Sequence, residues 1–534
     1  MHLVVPRALK NRRKSGALAA TLAAASLAVA GCGGGSASPG AGASDVAGFI
    51  PAGAPVYFEV STDLGGTQWT QTVALAKRFP GYEKLVASVT DELANEKLDF
   101  AGQIKPLLGS AAGIGVLDIK GLGKDDPDPA VVGAIDLADG KDAEVLALIQ
   151  SGKDPAKKVG QHDGVDLYGD SETTFAILDG KLLVSDTPDR IKRSIDAHRG
   201  GDSQTMAGSA KLDKAFAELP DEVLAQGFVD LGALVTLAGS VGGEAVANQL
   251  KNVGLGADAT LGLSVSAEAD GARIKAVGLD LGNAAPKTEP FTPKLVEKVP
   301  ADAIAYAGLK NGYSLGEQVI AQLGGQSPEV KKGLAQASLV LPLLGINLDD
   351  VKGLTSLEHA LVVTKGAKYP GVVIALEVAD PSKAGATLDA LRKSAPALLE
   401  QTGTKLPAFT KVVLSNGVSG WQSRIQPEVG VVYGVDGNLA LIGTQVDAVK
   451  QVQAPASKLT DDPAYQAATR QMPSKVDSVL WLNGEELLKA LDAAGVLKDA
   501  PPADVIANLR PLKSVAAWST GGDKPTFEAF VTIK

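Results

Sequence analysis

The chain has 534 residues, with 51 Lys and Arg, 61 Asp and Glu, a formal net charge of −10 and one cysteine. This length is more than a single hydrophobic core usually serves, so we expect about two domains. The acidic charge disfavours a nucleic-acid partner, which needs a basic surface, and the single cysteine excludes a disulfide bond within the chain.

The first 31 residues have the organisation of a secretory signal peptide. A basic stretch over residues 7–14 precedes an uncharged run over residues 17–30, which is too short to span a membrane comfortably. A motif that resembles the bacterial lipobox ends this run and consists of Val29, Ala30, Gly31 and Cys32. The alternatives are a plain signal peptide with an incidental cysteine, or a transmembrane anchor.

The lipobox resemblance implies cleavage between Gly31 and Cys32 and acylation of the Cys32 thiol, with palmitate among the acyl chains. Cleavage would remove five basic residues and no acidic one, which changes the formal charge from −10 to −15. Several acyl chains on one cysteine give stable anchoring. We therefore predict a lipoprotein signal peptide over residues 1–31 and an extracytoplasmic protein anchored to the outer face of the cell membrane.

The residues after the cysteine are predicted to form a tether, and the rest of the chain repeats itself. Residues 32–44 are rich in Gly and Ser, which favours a flexible linker. Three pairs of similar segments then occur in the same order: Ile50–Val60 with Val299–Leu309, Phe175–Thr187 with Val432–Thr444, and Leu219–Leu231 with Met472–Gly484. Repetition in a fixed order indicates a duplicated domain. We predict repeat domains over residues 45–282 and 295–534, joined by a linker over residues 283–294.

The local patterns favour an α+β fold. Near-continuous apolar runs at 131–137 and 371–379 predict strands, and a helical pattern follows each run. Asp179-Gly180 and Asp436-Gly437 each separate two apolar runs, which is typical of type I′ hairpins. Hairpins favour antiparallel sheets, so we predict two similar tandem domains, each a mainly antiparallel sheet with helices packed on one face.

These features together resemble the DUF3352 family of bacterial envelope proteins. The resemblance rests on the lipobox, on the strand entrances at Pro51 and Pro300, and on the two Asp-Gly hairpins. It extends over most of residues 45–534. Its motifs are structural, so the resemblance implies a fold and supplies no catalytic residues.

Motifs for catalysis or metal binding are missing from the sequence. The acidic run Asp125–Asp128 lacks the ligand positions of an EF-hand loop, and the glycine clusters lack a Walker lysine-serine pair. The histidines have no partner at metal-ligand spacing and are His2, His162, His198 and His359. We predict no catalytic residue, no metal and no cofactor.

The remaining candidates for function are two tryptophans. Trp69 and Trp421 lie in polar surroundings and are predicted to form an exposed contact surface, whereas Trp481 occupies the position of Phe228 and is predicted to lie in a core. The leading hypothesis is a non-catalytic binding or scaffold module of the cell envelope, with an unknown envelope protein or hydrophobic ligand as partner. The alternatives are a lipid carrier with an apolar cavity and a hydrolase that uses two carboxylates.

Overall fold

The structure, a computed structural model, describes residues 42–95, 97–118, 130–151, 155–169, 173–239, 254–284, 289–312, 348–400, 406–427, 429–497 and 503–534. The signal peptide, the lipobox and most of the tether lie outside these residues. The chain divides into two compact units: the first takes residues up to Ala285 together with Asp523–Thr526, and the second takes Pro286–Gly522 and Phe527–Lys534. This division falls inside the predicted linker, and the domain limits stay a prediction.

The first unit is built on an antiparallel sheet. Among its described residues the strands are β1 (Val56–Ser61), β2 (Leu108–Asp118), β3 (Ala130–Leu137), β4 (Lys157–His162), β5 (Val165–Gly169), β6 (Thr174–Leu178), β7 (Lys181–Ser185), β8 (Ala225–Asp230), β9 (Thr260–Glu268) and β10 (Gly271–Leu279). They lie in the order β4-β5-β6-β7-β3-β2-β1-β8-β9-β10, and each pair of neighbours is antiparallel.

Helices cover both faces of this sheet. They are α1 (Thr67–Ala76), α2 (Tyr82–Asn95), α3 (Asp142–Ser151), α4 (Pro188–Arg199) and α5 (Ala210–Phe216). On one face of the sheet, side chains such as Tyr57 and Leu183 pack with Ile191 of α4 and Phe216 of α5. We call this the inner face and the opposite one the outer face. Alternate residues of a strand point to opposite faces. Accordingly Leu182 and Val184, on either side of Leu183, pack with α3 on the outer face.

The second unit is also built on an antiparallel sheet. Its described strands are β11 (Ala305–Lys310), β12 (Glu358–Thr364), β13 (Gly371–Glu377), β14 (Thr410–Val413), β15 (Ser419–Arg424), β16 (Gly430–Asp436), β17 (Leu439–Gly443), β18 (Ser478–Asn483), β19 (Leu512–Thr520) and β20 (Thr526–Ile533). Their order is β14-β15-β16-β17-β13-β12-β11-β18-β19-β20. The two units therefore have the same strand order. That a duplication produced it stays an inference.

Helices of the second unit also lie on two faces. They are α6 (Leu348–Leu354), α7 (Pro381–Glu400), α8 (Val446–Gln453), α9 (Pro463–Thr469), α10 (Gly484–Ala493) and α11 (Ala503–Leu509). The inner core contains Val449 of α8, Tyr465 of α9 and Trp481, and the rings of Tyr465 and Trp481 meet edge to face at 5.3 Å. On the outer face Leu388 of α7 packs with Tyr433.

The α+β class with mainly antiparallel sheets is confirmed, and three details differ from the predictions. Helices lie on both faces rather than on one, because α3 and α7 cover the outer faces of the strands beside them. Asp179 and Gly180 form the predicted type I′ turn with φ of 48° and 71°. In the second hairpin, however, Asp436 pairs with Leu439, so the loop is Gly437 and the next residue. Finally, Phe291 of the predicted linker is buried in the second unit.

Candidate ligand-binding face

The structure separates the two tryptophans that the sequence put forward as contact residues. Trp69 is wrongly predicted to be exposed: it is 1% exposed, and its indole N–H donates to the carbonyl of Ser61 at 2.6 Å. It is buried because α1 packs this indole into a small cluster with Leu93 of α2. Trp421 is half-buried on β15. The lipidation residue Cys32 and the lipobox lie outside the described residues.

Trp421 lies under a cationic side chain of α7. The guanidinium of Arg392 lies 4.0 Å from the centroid of the indole ring, and Lys411 of β14 lies 5.7 Å from it. Arg392 also pairs with Asp389. The hydroxyl of Tyr433 donates to Asp389 at 2.6 Å, and this hydrogen bond is the main cause of the lowered pKa of Asp389. The cluster explains why Trp421 is stable in a polar setting.

The described histidines hold the fold together. His162 pairs with Asp196 at 2.6 Å. The ring of His198 stacks on Phe49 with 3.9 Å between centroids. His359 is buried on β12, where its Nε2 accepts a backbone N–H at 2.7 Å. Burial lowers the pKa of His359. The described residues contain no group of three or more His, Cys, Asp or Glu side chains arranged to hold a metal ion.

A buried carboxylate fixes the start of the first unit. Glu59 is 3% exposed and accepts hydrogen bonds from the Ser44 hydroxyl at 2.8 Å and the Ser44 backbone N–H at 3.1 Å. The hydroxyl of Tyr57 donates to it at 2.5 Å and the side-chain amide of Gln226 at 2.6 Å. All of these partners donate, and the Ser44 backbone N–H and the Gln226 NH2 group cannot accept, so the site favours a carboxylate with two charged oxygens. Ser44, the last residue of the predicted tether, is therefore part of the fold.

A second buried carboxylate lies in the second unit, on β12 rather than on β11 and therefore at a different place from Glu59, and it has different partners. Glu358 accepts backbone N–H groups from Lys294 at 2.8 Å and Leu295 at 2.8 Å. Burial is the largest cause of its raised pKa. Among the described residues, Glu358 is the one carboxyl group whose pKa is clearly raised. Both of its oxygens accept hydrogen bonds from backbone N–H groups.

The first unit also contains a surface cleft of about 660 Å³ beside α5, lined in part by Lys211, Lys214 and Asp280. The ammonium group of Lys211 is already shared by Asp230 at 3.1 Å and Asp258 at 3.3 Å. The charges of the cleft are thus largely balanced by the protein itself, so it favours no particular charged ligand.

The outer face of the first sheet is apolar over a wide area. The row of cross-strand neighbours through Phe58 contains Gly133, Ile114, Phe58, Gly227 and Leu263. The rows on either side of it, from β3 to β10, contain only Gly, Ala, Val, Leu and Ile. Four of these side chains are between 37% and 45% exposed: Phe58, Ile114, Val265 and Ile274. An open antiparallel face normally carries polar residues, so this face is suited to contact something apolar.

The outer face of the second sheet has the same character. The row through Ala307 contains Ile374, Leu361, Ala307, Leu480 and Ala517. Three of its members, Ile374, Leu361 and Leu480, are between 41% and 45% exposed. The row through Ala305 is also apolar, whereas the row through Leu309 carries His359 and Ser478. The face is therefore apolar in its middle and polar at one end.

The row through Phe58 and the row through Ala307 each begin, at the edge of the sheet, with a lysine followed by two aromatic residues. In the first unit Lys158, Tyr168 and Phe175 are successive cross-strand neighbours. Their counterparts in the second unit are Lys411, Trp421 and Tyr433. α3 and α7 cover this end, and the exposed apolar residues lie beyond them. Sequence reasoning missed these faces because its signal, apolar residues at both odd and even strand positions, also describes a strand buried on both sides.

The fold and the faces define a class: an α+β protein of two antiparallel units, each with an exposed apolar outer face. The chain belongs to the DUF3352 family, described as a protein of unknown function, whose model matches residues 15–530. A search of curated proteins returns no relative of the chain. No helix of the described residues is long and apolar enough to cross a bilayer.

Among solved structures the chain is similar to TP0453. Crystal form III of TP0453 matches with 11% identity, 47% of this chain and 90% of that chain covered, and a TM-score of 0.25. Crystal form IV matches with 10% identity, 44% and 81% coverage and a TM-score of 0.25.

Proposed function

We propose that the chain is a non-catalytic, lipid-anchored binding module of the cell envelope that binds its ligand on the outer faces of its sheets. One observation carries the proposal: large apolar side chains, such as Phe58 and Leu361, are more than 40% exposed on faces made of apolar rows. Contiguous exposed apolar surface on a folded protein is typical of a binding site.

The energetic consequence favours occupation of these faces. Complete burial of a large apolar side chain contributes about 1.5–3 kcal/mol. Covering the exposed parts of Phe58, Ile114, Val265 and Ile274 would therefore contribute roughly 2–5 kcal/mol to binding at the first unit. That range is enough to support a weak ligand alone and a tighter one when other contacts are added.

The anchor places the module at a membrane. Support comes from the sequence, in which an uncharged run ends at a lipobox-like motif before Cys32 and a Gly- and Ser-rich tether follows. The body would then stand a short distance from the membrane, because ten residues of Gly-rich chain have a mean reach of about 17 Å.

Binding to the outer faces is tested with a fluorophore that brightens on apolar surfaces, 1-anilinonaphthalene-8-sulfonate. A chain that begins at Ser36 retains every described residue and is compared with the double variant Ile114→Asp and Leu361→Asp. The control is Val159→Asp, which changes an exposed apolar residue on the edge strand β4. We expect the double variant to lose most of the fluorescence gain while the control keeps it. Equal fluorescence in all three chains would contradict the proposal.

The anchor is tested by metabolic labelling with a palmitate analogue. The wild-type chain should carry label and sediment with membranes. The variant Cys32→Ser should carry no label and should no longer sediment with membranes. Label on the variant would contradict the assignment of Cys32.

A further inference from the structure

We infer that the second unit binds one hydrocarbon chain of an amphiphile in a furrow along β11. This inference rests on the proposed function and names the ligand class of the same face. The furrow is lined by two alanines of β11 and by aliphatic residues of the strands on either side: Ala305, Ala307, Leu361, Val363, Leu480 and Leu482.

The shape of the furrow follows from the size of its residues. Leu361, Ala307 and Leu480 are direct neighbours across three strands, and the two outer strands are about 10 Å apart. Leu361 and Leu480 are 44% and 45% exposed, so they stand up from the sheet on both sides of the low alanine positions. Ala305 and Ala307 are about 7 Å apart along β11, so the two rows that form the furrow extend for roughly 14 Å. A channel of these proportions suits an extended chain rather than a compact ligand.

The chemistry of the furrow selects hydrocarbon. Its two rows contain no charged side chain and no hydrogen-bonding side chain, and the backbone groups of β11 are used by both neighbouring strands. A peptide or sugar would bury polar groups there without partners, which is costly, whereas a hydrocarbon chain needs none. The row through Leu309 carries His359 and Ser478, so the polar end of the amphiphile is expected at that end.

A second protein molecule is a poor occupant of this face. The outer face from β13 to β20 measures about 24 Å by 20 Å, or about 500 Å². A stable protein interface covers about 800 Å² on each partner and contains roughly ten hydrogen bonds. The apolar rows are too small for such an interface and supply no side-chain hydrogen bond.

The first unit shows the same position filled by its own side chain. Phe58 of β1 corresponds in the register to Ala307 of β11. Its ring lies over Gly227, since a Cβ atom at Gly227 would collide with it. The first outer face is therefore smooth where the second has a furrow. The asymmetry predicts one hydrocarbon chain for each protein chain rather than two.

The test exchanges these two residues in the chain that begins at Ser36, with binding of dodecanoate and tetradecanoate followed by calorimetry and native mass spectrometry. Wild type should bind one alkanoate, and tetradecanoate should bind roughly 10–15-fold more tightly because each added CH2 contributes about fourfold. Ala307→Phe should weaken binding at least 10-fold, and Phe58→Ala should add a second bound molecule. The control Val413→Phe adds the same ring at an exposed position of β14 outside the furrow.

Three outcomes would overturn the inference: affinity that does not depend on chain length, unchanged binding in Ala307→Phe, or no alkanoate bound by any variant. If alkanoates fail while the fluorophore still depends on Ile114 and Leu361, the ligand class is wrong and the binding module stands. If both fail, the proposed function fails as well. Circular dichroism and thermal unfolding of each variant exclude loss of binding through misfolding.

Discussion

The substitution Glu59→Gln tests whether a charged acceptor holds the beginning of the first unit. The carboxylate accepts hydrogen bonds from Ser44, Tyr57 and Gln226 in a buried site. Glutamine has the same shape but presents one oxygen and one NH2 group and carries no charge, so the hydroxyls of Ser44 and Tyr57 lose a charged acceptor and the Ser44 backbone N–H faces a donor. Two hydrogen bonds to a charged group are lost, each worth about 1.5–3 kcal/mol. We therefore expect the first unit to lose roughly 3–6 kcal/mol of its free energy of unfolding.

The assay is urea denaturation read by hydrogen exchange of peptides that cover residues 42–61. Tyr57→Phe removes one donor and should cost less than Glu59→Gln. The matched control is Glu144→Gln on α3, whose side chain is 58% exposed and should change stability by less than about 0.5 kcal/mol. If Glu59→Gln lies within the range of this control, the charged acceptor does not stabilise the unit and the reasoning is refuted.

Three further predictions concern the second unit. Burial raises the pKa of Glu358, so its contribution to stability is present at acid pH and lost as the pH rises through the raised value. The stability of wild type in urea, measured relative to Glu358→Gln, should therefore fall as the pH rises from 4 to 7, and an increase over this range would contradict the prediction. Burial lowers the pKa of His359, so its contribution to stability is present above the ordinary histidine range and lost as the pH falls through the lowered value. The melting temperature should therefore depend less on pH between pH 5 and 7 in His359→Gln than in wild type. Trp421→Phe should remove most acrylamide-quenchable fluorescence because Trp69 is buried, whereas Trp69→Phe should leave it.

The sequence was sufficient for the class of fold but not for the register of one hairpin. Aligning the repeats on Asp179-Gly180 and Asp436-Gly437 pairs Phe175 with Val432. The strand register instead pairs Phe175 with Tyr433, since the loop in the second unit begins one residue later. A shift of one residue moves a side chain to the opposite face. Turn residues alone could not reveal this, because Asp-Gly fits both a loop and the last pair of a strand.

Solvent exposure could not be read from local composition. Trp69 lies between polar residues in sequence, yet it is buried because α1 packs it over the end of β1. Conversely, Leu361 and Ile374 lie in strands whose apolar sequences predict burial, yet both side chains are exposed. Which part of an apolar strand is covered depends on where the helices pack in the folded unit: α7 directly follows β13 in the chain, yet Ile374 of β13 stays exposed. The lysine-aromatic rows likewise appear only once the register is known.

The measurement that tests the central claim most directly is native mass spectrometry of the chain that begins at Ser36, purified without detergent and compared before and after organic extraction. The account predicts an excess mass of about one small amphiphile for each chain, which extraction removes and Ala307→Phe abolishes. A mass that matches the bare chain in both samples, together with no uptake of added tetradecanoate, would contradict the claim that the outer face of the second unit binds a hydrocarbon chain.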